Sequence, residues 1–100
     1  MNLVSRRKVT IVAEALLEDR IERELRSLGA GGFTTTEARG EGSRGVRAQD
    51  WEGRNVRIET IVTAAVANAI LAHVAEHYFT YYAVIAWVDD VEVVRGDKYE

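Results

Sequence analysis

Segment 39–54 concentrates the side chains that could bind an anion. Arg44 and Arg47 carry planar guanidinium groups that match phosphate oxygens, and the hydroxyl of Ser43 adds a further donor. Glycine frees the backbone to expose consecutive N–H groups, which can form an anion-binding nest. The segment has such glycines at Gly40, Gly42 and Gly45. These residue types and their spacing suit a phosphate group on a small ligand, and Arg39 could close the site.

The same segment is also consistent with a surface hairpin whose arginines are solvated, because glycine and arginine are common in loops. It is not a Walker loop, since Gly-Lys-Ser/Thr is absent, and no GxGxxG pattern opens a helix. Residues 37–54 contain four arginines and four acids, so a nucleic-acid-binding tail is not favoured. Trp51 could anchor a protein partner, because tryptophan is enriched at binding hot spots, or it could fold back onto the sheet.

Two further clusters have a chemical and a structural interpretation. His73, Glu76 and His77 spell HxxEH, and histidines four apart on a helix could contact one metal ion. A protease would need a third ligand and a substrate cleft, so an ordinary amphipathic helix end is favoured. The aromatic run Tyr78–Tyr82 could stack on a flat base or complete the core, and the core role is favoured.

Length and composition narrow the class of protein. One hundred residues and 11.2 kDa suit one domain, spanning 1–100, and 47% AVILMFWYC with 29% DEKR is typical of a folded chain. A net charge of −3 does not favour nucleic-acid binding. Without cysteine, disulfides, iron–sulfur clusters and thiol catalysis are excluded. With no apolar run of about 20 residues and no signal-peptide core, we expect a cytoplasmic domain without membrane insertion.

The first half of the chain reads as strand, helix, strand. Lys8–Ala13 is β-branched and predicts a central strand, and Ala15–Leu28 changes to a helical period. Gly29 follows as the expected helix C-cap, and Gly32–Ala38 alternates as a strand. The apolar stripe of the helix is Leu17, Ile21, Leu25 and Leu28.

The second half repeats this order. Asn55–Val62 alternates as a strand, and Thr63 is the expected N-cap of a helix over Ala64–His77. Ala83–Val88 is almost continuously apolar, which predicts a strand in the middle of the sheet, and Val91–Val94 predicts a short terminal strand. The order βαββαβ predicts an α+β, ferredoxin-like sandwich with a four-stranded antiparallel sheet and two helices on one face. The other face would be solvated or covered by another chain, and we favour oligomerisation.

Over nearly its whole length the sequence resembles the PII signal-transduction family. The stretch Gly32–Gly42 (GFTTTEARGEG) is similar to the second strand and the start of the long T-loop, here about 39–54. Asn55–Glu59 (NVRIE) is similar to the third strand. Gly42–Arg47 (GSRGVR) resembles the phosphate-contacting stretch of the PII-like branch associated with carboxysomes and bicarbonate transport. Tyr78-Phe79 followed by Tyr82-Ala83 resembles the second nucleotide-contacting loop of that branch.

The resemblance implies a non-enzymatic signalling protein. It would be a homotrimer that binds adenine nucleotides in the clefts between subunits and reports through ordering of the T-loop. The implied nucleotide-binding residues are Thr34, Gly40, Gly42, Ser43, Arg44, Gly45, Val46, Arg47, Tyr82, Ala83 and Arg95. Bicarbonate could bind beside the phosphate through Arg44 or Arg47, and Trp51 would face a protein partner. That partner would be a bicarbonate transporter or a carboxysome-linked protein in inorganic-carbon regulation.

Two departures from the family pattern affect the expected ligand. The stretch Thr80–Ala83 offers no cation where the family has a lysine, and the paired C-terminal arginines are reduced to Arg95, with Glu92 near the other position. Fewer cations favour fewer phosphates, so we expect AMP or ADP over ATP. The alternative is a small trimeric metal-binding protein of the copper-tolerance type that uses His73 and His77.

Overall fold

The computed structural model describes residues 1–40 and 54–99, which form four strands and two helices. The strands are β1 Val4–Glu14, β2 Thr34–Ala38, β3 Asn55–Val62 and β4 Ile85–Val93. The helices are α1 Glu18–Ser27 and α2 Ala64–His77, and two 3-10 turns span Ala15–Leu17 and Gly96–Tyr99. The strand order across the sheet is β2-β3-β1-β4, with antiparallel pairing throughout. The α+β, ferredoxin-like fold is therefore confirmed.

Both helices pack on the same face of the sheet. Alternate residues of β1 and β3 are buried there, and the predicted alternation of β3 is confirmed. Burying these apolar surfaces supplies the main free energy that favours the fold. This single core joins strand residues to helix residues: Val9, Ile11, Ala13, Val56, Ile58 and Val62 with Leu17, Ile21, Leu25, Ala67, Ile70 and Val74.

The end of α1 depends on Gly29. Its φ of 114° lies in the left-handed region, which glycine enters without steric cost. The N–H of Gly29 donates to the carbonyl of Arg26 at 3.2 Å, and the N–H of Ala30 donates to that of Leu25 at 3.0 Å. This pair of bonds is a Schellman motif, and it satisfies carbonyls that the helix leaves without partners. The predicted C-cap is confirmed.

The start of α2 is also as predicted. The hydroxyl of Thr63 accepts a hydrogen bond from the N–H of Val66 at 3.4 Å, which satisfies one of the unpaired donors of the first turn. The predicted helix Ala15–Leu28, in contrast, begins with a 3-10 turn and becomes α-helical only at Glu18. The second strand begins at Thr34 rather than Gly32, and the first begins at Val4 rather than Lys8.

The last strand is longer than predicted. One strand, β4, runs through Asp89 and Asp90, where the sequence predicted two separate strands. Asp90 lies opposite Arg7 of β1, and its Oδ1 is 2.8 Å from Nε of that arginine. The ladder therefore continues through this exposed carboxylate, which has a partner across the strands.

The prediction that this apolar strand lies in the middle of the sheet is wrong. In the parts of the chain that the structure describes, β4 is an edge strand beside β1. Its sequence is apolar because it contributes to both faces. Ala86 and Val88 pack against the core, whereas Ile85 and Trp87 lie on the face opposite the helices, where Ile85 is 58% exposed.

The face of the sheet opposite the helices, called here the open face, has a small polar and aromatic centre. Thr10 is fully buried there, between its ladder neighbours Glu59 on β3 and Trp87 on β4. The guanidinium of Arg57 lies 5.5 Å from the centroid of the Trp87 ring, within the range of a cation–π contact. Arg57 Nε is also 2.9 Å from a carboxylate oxygen of Glu59. Thr10 is therefore covered by side chains that reach across β1.

Within residues 1–40 and 54–99, neither helix has the length and apolar character needed to cross a bilayer.

Candidate functional site

The loop of residues 78–84, called here the tyrosine loop, leaves the end of α2 and leads into β4. Tyr78 begins it and is fully buried, and its N–H still bonds to the carbonyl of Val74 at 2.9 Å. The N–H groups of Tyr81 and Tyr82 donate to the carbonyl of Tyr78 at 3.2 and 3.0 Å. The Tyr82 ring lies against that of Tyr78, with centroids 5.7 Å apart. The predicted ligand residue Tyr82, which precedes Ala83, is thus held against the buried Tyr78 by a backbone hydrogen bond and by ring contact. Tyr78 is called here the anchor of the loop.

The anchor is tied to the other helix through Glu24 of α1. The hydroxyl of Tyr78 donates to Oε1 of Glu24 at 2.5 Å. Arg20 Nε donates to Oε2 of the same carboxylate at 3.4 Å, and its guanidinium lies 4.8 Å from the Tyr78 ring centroid. His73 Nε2 is 3.0 Å from Oε1. This last contact is one of proximity, because the buried nitrogen has no hydrogen bond of acceptable geometry.

The electrostatics of this group keep the tyrosine neutral and the carboxylate ionised. Burial raises the pKa of Tyr78 strongly, and the hydrogen bond to Glu24 and the charge of that group raise it further. Burial alone would raise the pKa of Glu24 as well. The hydrogen bond from Tyr78, the nearby His73 and Arg20 outweigh that effect, so the pKa of Glu24 is lowered. Tyr78 is therefore a donor and Glu24 an acceptor over the neutral pH range.

The two histidines lie side by side at the end of α2, next to this group. Their rings are in tilted contact, with centroids 4.3 Å apart and planes inclined by 39°, and His73 faces Glu24. Among the described residues, the group that brings three potential ligand atoms within 4.8 Å of one another is acidic and contains neither histidine: Glu18, Asp19 and Glu22. The geometry gives no support to the metal-binding alternative.

The predicted anion-binding segment, residues 39–54, leaves the end of β2 and returns at the start of β3, where these two strands are paired. Ala38 and Asn55 are paired at the ends of β2 and β3, and the carbonyl of Arg54 accepts a hydrogen bond from the N–H of Ala15 at 3.1 Å. Gly40 lies two residues beyond β2. Most of the predicted phosphate-binding residues, and the predicted partner contact, lie outside the described residues: Gly42, Ser43, Arg44, Gly45, Val46, Arg47 and Trp51.

The remaining predicted ligand residues lie at three separate places. Thr34 is exposed on β2 at one edge of the sheet, whereas the tyrosine loop leads into β4 at the other edge. Three strand spacings separate these edges, or about 14 Å. Arg95 lies beyond the far end of β4, and a strand of this length covers about 26 Å. One chain therefore does not bring Thr34, Tyr82 and Arg95 together.

Sequence reasoning missed the contact between Glu24 and Tyr78. These residues are 54 positions apart, and an acidic residue on the polar side of α1 gives no sign of its partner. One signal was available for the tyrosine itself. Tyr78 continues the four-residue spacing of Ile70 and Val74, which are both buried, and this spacing indicates an inward-facing ring. The prediction that the aromatic run completes the core is confirmed for this residue, while Tyr81 is 78% exposed.

Comparison with known families identifies the class of protein. Residues 6–98 match the model of the family described as nitrogen regulatory protein P-II. The match covers almost the entire chain, so the protein belongs to the P-II family. Family membership confirms the resemblance identified from the sequence, whereas the carboxysome- and bicarbonate-associated branch stays a prediction.

Solved structures give the same result for the fold. A PII-like signalling protein from Thermus thermophilus is 59% identical over 100% of both chains, with a TM-score of 0.88. CPII from Thiomonas intermedia K12, bound to ADP and bicarbonate, is 22% identical over 99% of this chain and 98% of its own, with a TM-score of 0.87. The B. subtilis GlnK–ATP complex is 15% identical over 96% of this chain and 91% of its own, with a TM-score of 0.69.

Proposed function

We propose that this protein is a non-enzymatic regulator that binds adenine nucleotides, AMP or ADP in preference to ATP, in clefts between the subunits of a homotrimer. The observation that carries the proposal is the P-II family match over residues 6–98. The ligands of similar folds support it, because CPII was solved with ADP, AMP and bicarbonate and GlnK with ATP. Adenine nucleotides are cytoplasmic metabolites, so we expect the protein to act in the cytoplasm.

The placement of the predicted ligand residues supports a site between subunits. Within a single chain, one small ligand would not contact Thr34, the tyrosine loop and Arg95 together. The strand order puts the first two at opposite edges of the sheet, and the length of β4 separates the last two. A second copy could bring one edge of its sheet beside the other edge of the first. The open face also carries apolar side chains, including Ile85 and Trp87, that a second copy could cover. A mass measurement in solution tests the trimer directly.

The number of cations favours ligands with few phosphates. Arg44, Arg47 and Arg95 are the arginines that we assign to phosphate oxygens, with no lysine in Thr80–Ala83. Each charge-assisted hydrogen bond contributes about 1.5–3 kcal/mol. A further phosphate on the ligand gains this free energy only if a further cation is present to bind it. AMP or ADP would therefore bind better than ATP.

We assign the signalling step to the T-loop, residues 39–54. A nucleotide, with bicarbonate beside its phosphate on Arg44 or Arg47, would favour one state of this loop and so present or withdraw Trp51. A ligand shifts such an equilibrium only as far as it binds one state better than the other. The partner that we propose is a bicarbonate transporter or a carboxysome-linked protein, which would place the protein in inorganic-carbon regulation.

Calorimetric titration with AMP, ADP and ATP, with and without bicarbonate, tests this function. We expect ADP or AMP to bind more tightly than ATP, and Arg47→Ala to weaken binding about tenfold or more. Arg23→Ala is the matched control, because it removes an exposed arginine of α1 that is outside the proposed site. Equal binding by Arg47→Ala and the wild type would refute the role of that arginine. ATP binding far more tightly than ADP would refute the cation argument.

A further inference from the structure

The tyrosine loop has a link to the core that the proposed ligand contacts do not use. Its first residue, Tyr78, is fully buried, yet it carries a polar hydroxyl that reaches Glu24 on α1. A buried hydroxyl without a partner would destabilise the fold, so this bond restricts where the ring can lie. Because the ionised carboxylate is the acceptor, the bond is charge-assisted and stronger than one between neutral groups.

The position of Tyr78 determines the position of the residues that follow. Its carbonyl accepts the N–H groups of Tyr81 and Tyr82, and its ring packs against the Tyr82 ring. Arg20 adds a second connection, since it bonds to Glu24 and its guanidinium also lies 4.8 Å from the centroid of the Tyr78 ring. Displacement of the Tyr78 ring would therefore move Tyr82 and the neighbouring Ala83.

We propose that Tyr78 is a positioning residue for nucleotide binding, and that its hydroxyl bond to Glu24 fixes the conformation of the tyrosine loop. The inference rests on the proposed function, because Tyr82 and Ala83 are the residues that would contact the nucleotide. Tyr78 itself is buried and does not touch the ligand. It acts by keeping the loop in its binding-competent state, since apparent affinity falls in proportion to the population of that state.

The charged groups around the carboxylate are consistent with this role. Glu24 accepts from Tyr78 of the loop and from Arg20 of its own helix, and His73 of α2 lies beside it. One carboxylate of α1 thus bonds to the loop and lies in contact with α2. Tyr81 differs from Tyr78 in this respect, because its side chain is 78% exposed rather than buried against α1.

The experiment compares nucleotide affinity with loop opening in a set of variants. Tyr78→Phe removes only the hydroxyl, and Glu24→Gln keeps an oxygen that can still accept. Calorimetry would measure ADP and AMP binding, and hydrogen exchange without nucleotide would follow the amides of Tyr81 and Tyr82. Ile21→Val is the matched control, because it shortens a buried side chain of α1 and lowers stability while keeping both partners of the bond between Tyr78 and Glu24.

We expect Tyr78→Phe to weaken ADP or AMP binding by about three- to tenfold and to speed exchange of the two amides. Glu24→Gln would weaken binding less. The double variant Tyr78→Phe/Glu24→Gln would bind nucleotide as tightly as Tyr78→Phe alone, because both changes act through one contact. Ile21→Val would bind nucleotide as the wild type does.

Three results would overturn the inference, and they differ from one another. Wild-type affinity in Tyr78→Phe, with faster amide exchange, would overturn the positioning role and leave the proposed function intact. Unchanged exchange in Tyr78→Phe would show that the hydroxyl does not hold the loop. If the wild-type protein binds no adenine nucleotide, the proposed function is overturned, and so is the role of Tyr78 in nucleotide binding.

Discussion

The two faces of the sheet use buried groups in different ways. On the helix side, apolar residues from both helices and two central strands form one core, and the buried hydroxyl of Thr60 donates to the carbonyl of Gly32 at 2.6 Å. On the open face, Thr10 is equally buried, but its hydroxyl has no partner among the described residues. The helix side thus gives its buried threonine a hydrogen-bond partner within one chain, whereas the open face leaves a buried hydroxyl without one among residues 1–40 and 54–99.

Truncation on the two faces of β1 should show the largest difference. Ile11 is fully buried on the helix side, and its neighbour Val12 points to the open face and is only partly buried. Ile11→Ala should lower the free energy of unfolding by about 2–5 kcal/mol, because it removes contacts and leaves a cavity. Val12→Ala should cost about 1 kcal/mol or less.

Chemical denaturation at several protein concentrations would measure both effects. A cost for Val12→Ala that matches that of Ile11→Ala, and grows with protein concentration, would mean that a second copy covers the open face. Equal costs at all concentrations would contradict the distinction between the faces within one chain.

Alkaline pH should weaken the helix side through Tyr78. The pKa of this tyrosine is higher in the folded chain than its ordinary value of 10.0, so folding favours the protonated form. Its contribution to stability is therefore fully present below about pH 10 and is lost as the pH rises toward the folded pKa. Tyr78→Phe should be less stable than the wild type near neutral pH, and the difference should shrink above about pH 10.

The pH dependence would be followed by denaturation of both proteins between neutral pH and the alkaline limit. Tyr81→Phe is the control, because it removes an exposed hydroxyl from the same loop. A difference between Tyr78→Phe and the wild type that stays constant with pH would contradict the argument, since the hydroxyl would then not titrate differently on folding.

The sequence predicted the structure best where burial or a hydrogen bond depends only on residues a few positions away. The stripe that includes Ile21 and Leu25 and the alternation of β3 predicted which side chains enter the core, because helical and strand periods place those side chains on one face. Gly29 and Thr63 were predicted as caps because their conformations and hydrogen bonds involve residues only a few positions away.

The parts that could not be predicted depend on residues far apart in the chain. The almost continuous apolar run of β4 predicts a strand in the middle of the sheet, but an apolar run carries no information about lateral neighbours, and β4 is an edge strand. The bond between Glu24 and Tyr78 joins α1 to the tyrosine loop, which are 54 positions apart at these residues. Most of the proposed phosphate site rests on the family resemblance, since residues 41–53 are not described.

The smallest and most direct comparison uses the two buried threonines. Thr60→Val should cost about 1 kcal/mol, because it removes the donor to the Gly32 carbonyl while keeping the shape of the side chain. Thr10→Val should be neutral or stabilising by up to about 1 kcal/mol in the single chain, because it removes a buried hydroxyl that has no partner among residues 1–40 and 54–99. Thermal unfolding at low protein concentration measures both. If Thr10→Val proves as costly as Thr60→Val, the Thr10 hydroxyl has a partner, and the dependence of that cost on concentration would separate a second copy from a bound water.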